Sequence, residues 1–192
     1  MGFVFVLLAL VAILPFAAEA WRRPLSAERQ RQAPGEIAYL PRGAAHFRWS
    51  GRQGDPVVVC IHGLSTPSYV FAGTERSLTA LGYRVLSYDL YGRGFSARVR
   101  GAQDVDFFLG QLRALLAHQE VEGPVTVLGF SMGGQIAAAF AAAEPERVAR
   151  VILVASAGLA EGAPGVWDWV WRAPVIGDWM TRVFGGIALR RE

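Results

Sequence analysis

The sequence predicts an α/β fold, with a mostly parallel sheet flanked by helices. Three observations lead there. Short apolar, β-branched runs recur at Pro56 to Ile61, Arg84 to Tyr88, Val125 to Leu128 and Val151 to Val154. They lack polar alternation, as strands buried on both faces do. Stretches of helical period separate them, as in a sheet built from strand–helix–strand units. Finally, the distinctive loops His62-Gly63-Leu64, Asp89 to Ser96 and Gly129 to Gly134 each follow such a run, at the carboxyl ends of strands where parallel sheets bind ligands.

Taken in order, the chain begins with Gly2 to Ala18, apolar and uncharged. A membrane anchor needs about 20 apolar residues, which this run approaches once Trp21 is placed at the interface. Arg22, Arg23, Arg29 and Arg31 follow the run and no basic residue precedes it. The positive-inside rule therefore sets the body of the protein on the cytoplasmic side. A cleaved signal peptide is the alternative: Ala18-Glu19-Ala20 supplies a small-x-small site, though the charged n-region is missing. Residues 1–20 are thus read as an anchor or signal peptide. Residues 21–43, with Pro24, Pro34 and Pro41, are read as a tether holding at most a short strand at Glu36 to Leu40.

From Ala44 to Gly158 the pattern is that of a core domain. Ala44 to Trp49 reads as a strand, with a turn at Ser50-Gly51. Pro56 to Ile61 is the first fully buried strand, and Cys60 within it is a small core hydrophobe rather than a nucleophile. Thr66 and Pro67 suit the N-cap and first position of a helix. Helical register continues over Thr74 to Leu81, and Gly82 closes it. Arg84 to Tyr88 is a strand. Asp104 to His118 is an amphipathic helix with Phe107, Phe108, Leu112, Leu115 and Leu116 on one face. Val125 to Leu128 and Val151 to Val154 are strands on either side of an Ala-rich helix, Met132 to Ala143, which stops before Pro145. Residues 159–192 open a further region rich in tryptophan (Trp167, Trp169, Trp171), suited to lining an apolar pocket, packing on the core or touching a membrane surface.

Composition narrows the function. The chain has 192 residues, 53% of them hydrophobic, and a net charge of +3. Its mean hydropathy is +0.29. All 19 basic residues are arginine, but none of them interleaves with aromatics in a patch for nucleic acid. One cysteine allows no intrachain disulfide. No metal-ligand spacing and no cofactor motif is present, so neither is expected.

The chemistry centres on Gly129-Phe130-Ser131-Met132-Gly133-Gly134. A Gly-x-Ser-x-Gly between a strand and a helix is the layout of a nucleophile elbow. The turn is strained, side chains at Gly129 or Gly133 would crowd it, and the helix that follows aims its N-terminal N–H groups at the serine.

Together with two further ordered motifs, the elbow makes the chain resemble the α/β-hydrolase superfamily. His62-Gly63 follows the strand that would be the third of that fold. Tyr88-Asp89-Leu90-Tyr91-Gly92-Arg93-Gly94-Phe95-Ser96 matches the Asp-x-x-Gly-x-Gly-x-Ser turn after the fourth, and the elbow follows the fifth. The resemblance covers about residues 44–158, with the start of a cap over 159–192. It is similar to the serine-nucleophile monoacylglycerol-lipase-like, esterase-like and carbon–carbon-bond hydrolase branches. A serine at the elbow argues against the branches that use aspartate there. The resemblance implies that Ser131 attacks an ester-like carbonyl of a small acyl substrate, with the backbone N–H groups of Leu64 and Met132 as the oxyanion hole. His62 and Gly63 would shape the oxyanion loop. Asp89, Gly92, Arg93 and Gly94 would hold a tight turn, Asp89 and Arg93 as a structural charged pair.

A serine nucleophile needs a base and an orienting acid, and in this family both follow the serine. His46, His62 and His118 all precede it. His46 reads as a strand residue and His118 as a solvated helix end. Glu161 is the nearest acidic residue after the sixth strand. The expectation is a fold incomplete at its C-terminus, with acid and histidine beyond Glu192. The alternative is an inactive hydrolase remnant or a membrane-tethered binding protein.

Overall fold

The computed structural model of the protein describes residues 27–158, with Ile13, Leu14 and Ala17. The expected apolar N-terminal helix, the Trp-rich region from residue 159 and Glu161 lie outside those residues, these three positions apart. Among the described residues no helix is long and apolar enough to cross a membrane. Residues 25–160 make one compact unit.

That unit is an α/β fold on a six-stranded sheet. The strands are β1 (Glu36–Leu40), β2 (Gly43–Ser50), β3 (Val57–Ile61), β4 (Arg84–Tyr88), β5 (Val125–Phe130) and β6 (Val148–Val154), and the helices are α1 (Ala27–Arg31), α2 (Ala72–Ala80), α3 (Val105–His118) and α4 (Met132–Ala143). The order across the sheet is β1-β2-β4-β3-β5-β6. β4, β3, β5 and β6 run parallel, while β1 and β2 form an antiparallel hairpin joined to β4. The strand order reverses beside β3, so the loops after β3, β4 and β5 lie together at the carboxyl ends of the parallel strands, the end at which sheets of this kind bind ligands.

β3, β4 and β5 are buried on both faces, as their unbroken apolar runs require. β6, expected to be buried likewise, is half-exposed among the described residues because it is an edge strand, with Leu153 and Val154 at the surface. Val59, Ile61, Leu86, Tyr88 and Val127 point into a core shared with Phe107, Phe108, Leu112, Leu115 and Leu116 of α3 and with Ile136, Ala137 and Phe140 of α4. The five apolar residues expected on one face of the helix are all buried there. On the opposite face Val58, Cys60, Val85 and Leu128 meet Phe71 and Leu78, beside and on α2. Burying a side chain of this size is worth about 1.5–3 kcal/mol, so both layers stabilise the sheet.

The short strand expected at Glu36 to Leu40 forms with those bounds: β1 pairs with β2 there, and Ala38 and Leu40 are buried. One expectation changes: Thr66 does not cap a helix. A single 3-10 turn runs from Ser68 to Phe71 behind Pro67, whose N-cap position has no side-chain bond, and α2 starts at Ala72. By contrast Asp104 caps α3, its carboxylate accepting the Phe107 N–H at 2.9 Å. Gly82, at φ +81°, closes the end of α2 in the left-handed conformation.

Candidate active site

The turn between β5 and α4 is strained at its serine. Ser131 has φ 54° and ψ −121°, a region that costs a non-glycine residue about 1–3 kcal/mol. Surrounding contacts enforce it. A Cβ on Gly129 would lie 2.3 Å from the Gly133 carbonyl oxygen, and one on Gly133 would lie 2.0 Å from the Ile61 carbonyl oxygen. The first glycine lets the turn close on itself, and the second lets the start of α4 sit against the end of β3. Ser131 is held through its backbone as well, its N–H donating to Val154 O at 3.0 Å. Its hydroxyl makes no hydrogen bond among the described residues and is only partly buried.

Gly63 lies directly against this turn. A Cβ there would fall 3.0 Å from Ser131 Cβ and 3.5 Å from Ser131 Oγ. Leu64 follows, with its side chain exposed. Met132 directly follows the serine and Leu64 directly follows Gly63, and neither backbone N–H has an acceptor among the described residues. The Met132 N–H is one of the orphan donors that open every helix, at the positive end of the α4 dipole.

His62 is fully buried beneath that loop. Its Nε2 accepts the Leu90 N–H at 2.9 Å, and its Nδ1 lies 2.7 Å from the Gly63 carbonyl oxygen. An amide can only donate, so the ring is neutral with its proton on Nδ1. Burial lowers its pKa from the ordinary histidine value, with the Gly63 bond and the Asp89 charge opposing and the Arg93 charge reinforcing.

Asp89 stands differently from its expected pairing with Arg93: its side-chain hydrogen-bond partner is His46. His46 Nδ1 donates to Asp89 Oδ2 at 2.9 Å, with both side chains buried. The carboxylate also accepts the Ser68 N–H at 2.8 Å and the Phe95 N–H at 2.9 Å. Burial alone would raise the Asp89 carboxyl; the His46, Phe95 and Ser68 hydrogen bonds outweigh it and pull the carboxyl down to about 2. Gly94 is required by this carboxylate, because at φ +50° a Cβ would lie 2.0 Å from Asp89 Oδ2. Gly92, at φ +80°, turns the same loop. Arg93 instead donates to the Tyr91 carbonyl at 2.9 Å and to the Gln103 amide, over the Phe108 ring.

Sequence reasoning missed three buried polar residues, two of them in this network. His46 was legible only as a strand residue, although a polar side chain in the apolar stretch Ala44 to Phe47 is itself a signal. Gln111 is buried on α3, donating to Asp89 O at 2.9 Å and accepting the Tyr91 N–H at 2.8 Å. Glu75 on α2 sits buried against the opposite face of the sheet. It accepts two bonds from Arg48 Nη2 at 2.8 and 2.7 Å and one from Ser87 Oγ at 2.6 Å. Cys60 is buried, and burial, with the Glu75 charge adding to it, pushes its thiol up to about 12. His118 lies exposed at the end of α3, beside Gln119. Thus none of the three histidines bonds to Ser131: His46 is engaged with Asp89, His62 with Gly63 and Leu90, and His118 with its neighbour.

Comparison with known proteins identifies the fold family. A family model for the alpha/beta hydrolase fold matches residues 56–185. A 2-hydroxy-6-oxononadienedioate/2-hydroxy-6-oxononatrienedioate hydrolase of Cupriavidus pinatubonensis is 36% identical over 118 residues, covering 59% of this chain and 39% of the relative. Among solved structures, the enol-lactonase of Burkholderia xenovorans has a TM-score of 0.63 at 25% identity, covering 81% of this chain and 65% of that one. The thioesterase domain of a curacin biosynthetic pathway has a TM-score of 0.63 at 26% identity, covering 77% of this chain and 53% of that one. The chain spans about a third of the length of the curated relatives it matches, for instance 32% and 36%.

Proposed function

The chain belongs to the alpha/beta hydrolase family, and on that premise we propose that it carries the nucleophile and oxyanion site of a serine hydrolase acting on an ester-like carbonyl of a small acyl substrate. The observation that carries the reading is the strained backbone of Ser131, φ 54° and ψ −121°, between two glycines that admit no side chain. Backbone strain of this kind clusters at active sites and ligand clamps. In the proposed reaction Ser131 Oγ attacks the carbonyl carbon as a base removes its proton. The carbonyl oxygen, now negative, receives the Leu64 and Met132 N–H groups, which are free of other acceptors among the described residues. Collapse of the tetrahedral species expels the leaving group, and water releases the acyl group by the same path.

His46, His62 and His118 are committed elsewhere, so the described residues supply no base to Ser131, and in this reading the base is a further group. That commitment also favours a second reading, in which the chain binds acyl ligands without turnover. The apolar run Gly2 to Ala18, with its arginines all on the C-terminal side, supports attachment to a membrane with the hydrolase unit on the cytoplasmic side. A cleaved signal peptide is the competing reading there. Reporter fusions to Glu192, one active only in the cytoplasm and one only outside it, separate the two topologies.

Labelling with a fluorophosphonate tests the enzyme reading. Covalent modification that maps to Ser131 and disappears in Ser131→Ala supports it. A folded chain that takes up no label, alone or within a longer natural product, overturns it in favour of the binding reading.

A further inference from the structure

Three non-glycine residues have a positive φ among the described residues, and two of them are neighbours across the sheet: Ser131 at 54° and Ala155 at 43°. Each directly follows one member of Phe130–Val154, the last pair of β5 and β6. In a regular parallel ladder the bonds step evenly. After the Ser131 N–H donates to Val154 O, the Ser131 carbonyl would then receive the N–H two residues further along β6, that of Ser156. It receives the Ala157 N–H instead, at 3.0 Å. One extra residue is therefore inserted opposite Ser131, a β-bulge, and bulges of this kind recur beside active sites. The loop also closes on the start of α4. A Cβ on Gly134 would lie 2.3 Å from Ser156 Oγ, and one on Gly158 would lie 2.7 Å from Gln135 Nε2.

We infer that Ala155 is a positioning residue for Ser131: its left-handed backbone makes the bulge that carries the Ala157 N–H onto the Ser131 carbonyl, and so holds the strained turn that aims the hydroxyl. Ser131 is gripped at both of its main-chain groups. Its N–H is held by Val154 O at 3.0 Å, and its carbonyl by the Ala157 N–H and, from the first turn of α4, by the Gly134 N–H at 2.9 Å. With the peptide planes on either side of the Cα fixed, the direction of the Cα–Cβ bond is fixed too, and with it the arc on which Oγ can sit. The Ala155 side chain is exposed among the described residues, so residue 155 acts through its backbone and not through packing. That the hydroxyl is a nucleophile rests on the proposed serine-hydrolase reading; the grip stands on the hydrogen bonds alone.

Substitutions at residue 155 separate its conformation from its side chain. Asparagine enters the left-handed region readily, whereas a β-branched valine is strained there. Ala155→Asn should therefore keep the bulge and Ala155→Val should lose it. Glycine permits the conformation without holding it, so Ala155→Gly should loosen the bulge and leave the rest of the sheet intact.

Amide hydrogen exchange on the 15N-labelled chain reads the grip. In Ala155→Val the Ser131 and Ala157 N–H groups should exchange about tenfold faster than in the wild type, while those of Val127 and Ile152 inside the β5–β6 ladder keep their rates; Ala155→Asn should match the wild type within about threefold. A uniform rise at all four amides, or no change, overturns the inference. Should the valine variant not fold, Ala155→Gly takes its place: the Ala157 N–H is expected to exchange about threefold faster, and unchanged protection overturns the inference. The rate of Ser131 labelling by a fluorophosphonate, measured where circular dichroism shows every variant folded, reads the consequence. It should fall about tenfold in Ala155→Val and stay within about twofold in Ala155→Asn, as expected when a reacting atom is misplaced. Equal rates, or slowing that merely follows Tm through all the variants, overturn it. If the wild type takes no label, the exchange rates still decide the grip, and the missing label counts against the serine-hydrolase reading instead.

Discussion

Replacing Asp89 by asparagine tests whether the turn after β4 is held by a charge. In the wild type one carboxylate accepts from the His46 imidazole and from the Ser68 and Phe95 N–H groups, within 2.8–2.9 Å. Asparagine has the same shape but no charge, and it offers an NH2 group to one of those three donors. Hydrogen bonds to a charged group are each worth about 1.5–3 kcal/mol, and a buried donor left without its acceptor costs about 1–3 kcal/mol. Because asparagine keeps part of the network, the expected loss is about 3 kcal/mol at pH 7. A second route agrees: the drop of the carboxyl from an ordinary 3.8 to about 2 corresponds to about 2–3 kcal/mol. For a chain of this size, that lowers Tm by about 6–12 °C. The pH dependence has a fixed sign. A depressed carboxyl contributes its stability above its unfolded pKa and loses it as the pH falls through the folded one. The gap between wild type and Asp89→Asn should therefore be full above pH 4 and should close toward pH 2. Urea unfolding followed by circular dichroism from pH 7 to pH 2 measures it. A loss under about 1 kcal/mol at pH 7, or a gap that does not change with pH, would refute the reasoning.

Four further outcomes follow from the same contacts. Ser131→Gly should raise stability by about 1–2 kcal/mol, by releasing the φ 54° strain, while abolishing fluorophosphonate labelling; thermal melts and mass spectrometry check both. Gly133→Ala should lose about 3 kcal/mol or fail to fold, since its Cβ would meet the Ile61 carbonyl oxygen at 2.0 Å, and expression with thermal melting reads it. Cys60, buried and pushed up to about 12, should ignore a thiol reagent at pH 8 in the folded protein and react at once in denaturant. Glu75→Gln should cost about 2–3 kcal/mol by stranding Arg48 and Ser87, and unless Arg48→Met in the same chain recovers part of that loss, the ion pair is not its source.

Much of the fold was legible because it is written in local pattern. The continuous apolar runs announced the parallel strands. The 3.6-residue spacing of Phe108, Leu112 and Leu115 named the buried face of α3, and Asp104 marked its start. The weak signals were those whose meaning is set by a distant partner. β1 was legible as a short strand, but its pairing with β2 was not. Pro67 looked like a helix start because its φ suits one, but the chain makes a 3-10 turn there first, placing the Ser68 N–H on Asp89.

The same division holds at the site. Ser131, Gly129 and Gly133 were identifiable in the sequence, because a strand-to-helix turn this tight leaves few choices of residue. That Asp89 belongs to His46 and not to Arg93 could not be read there: the two are 43 positions apart and meet only once the β1–β2 hairpin packs against β4. Nor could the proton on His62 Nδ1, which depends on a backbone N–H 28 residues away. Sequence by itself determined which elements form and where the strained serine falls, since propensity, period and glycine placement act over a few residues. Only the tertiary structure decided the partners of the buried polar groups, because a hydrogen bond across a sheet is specified by topology and register rather than by its neighbours in the chain.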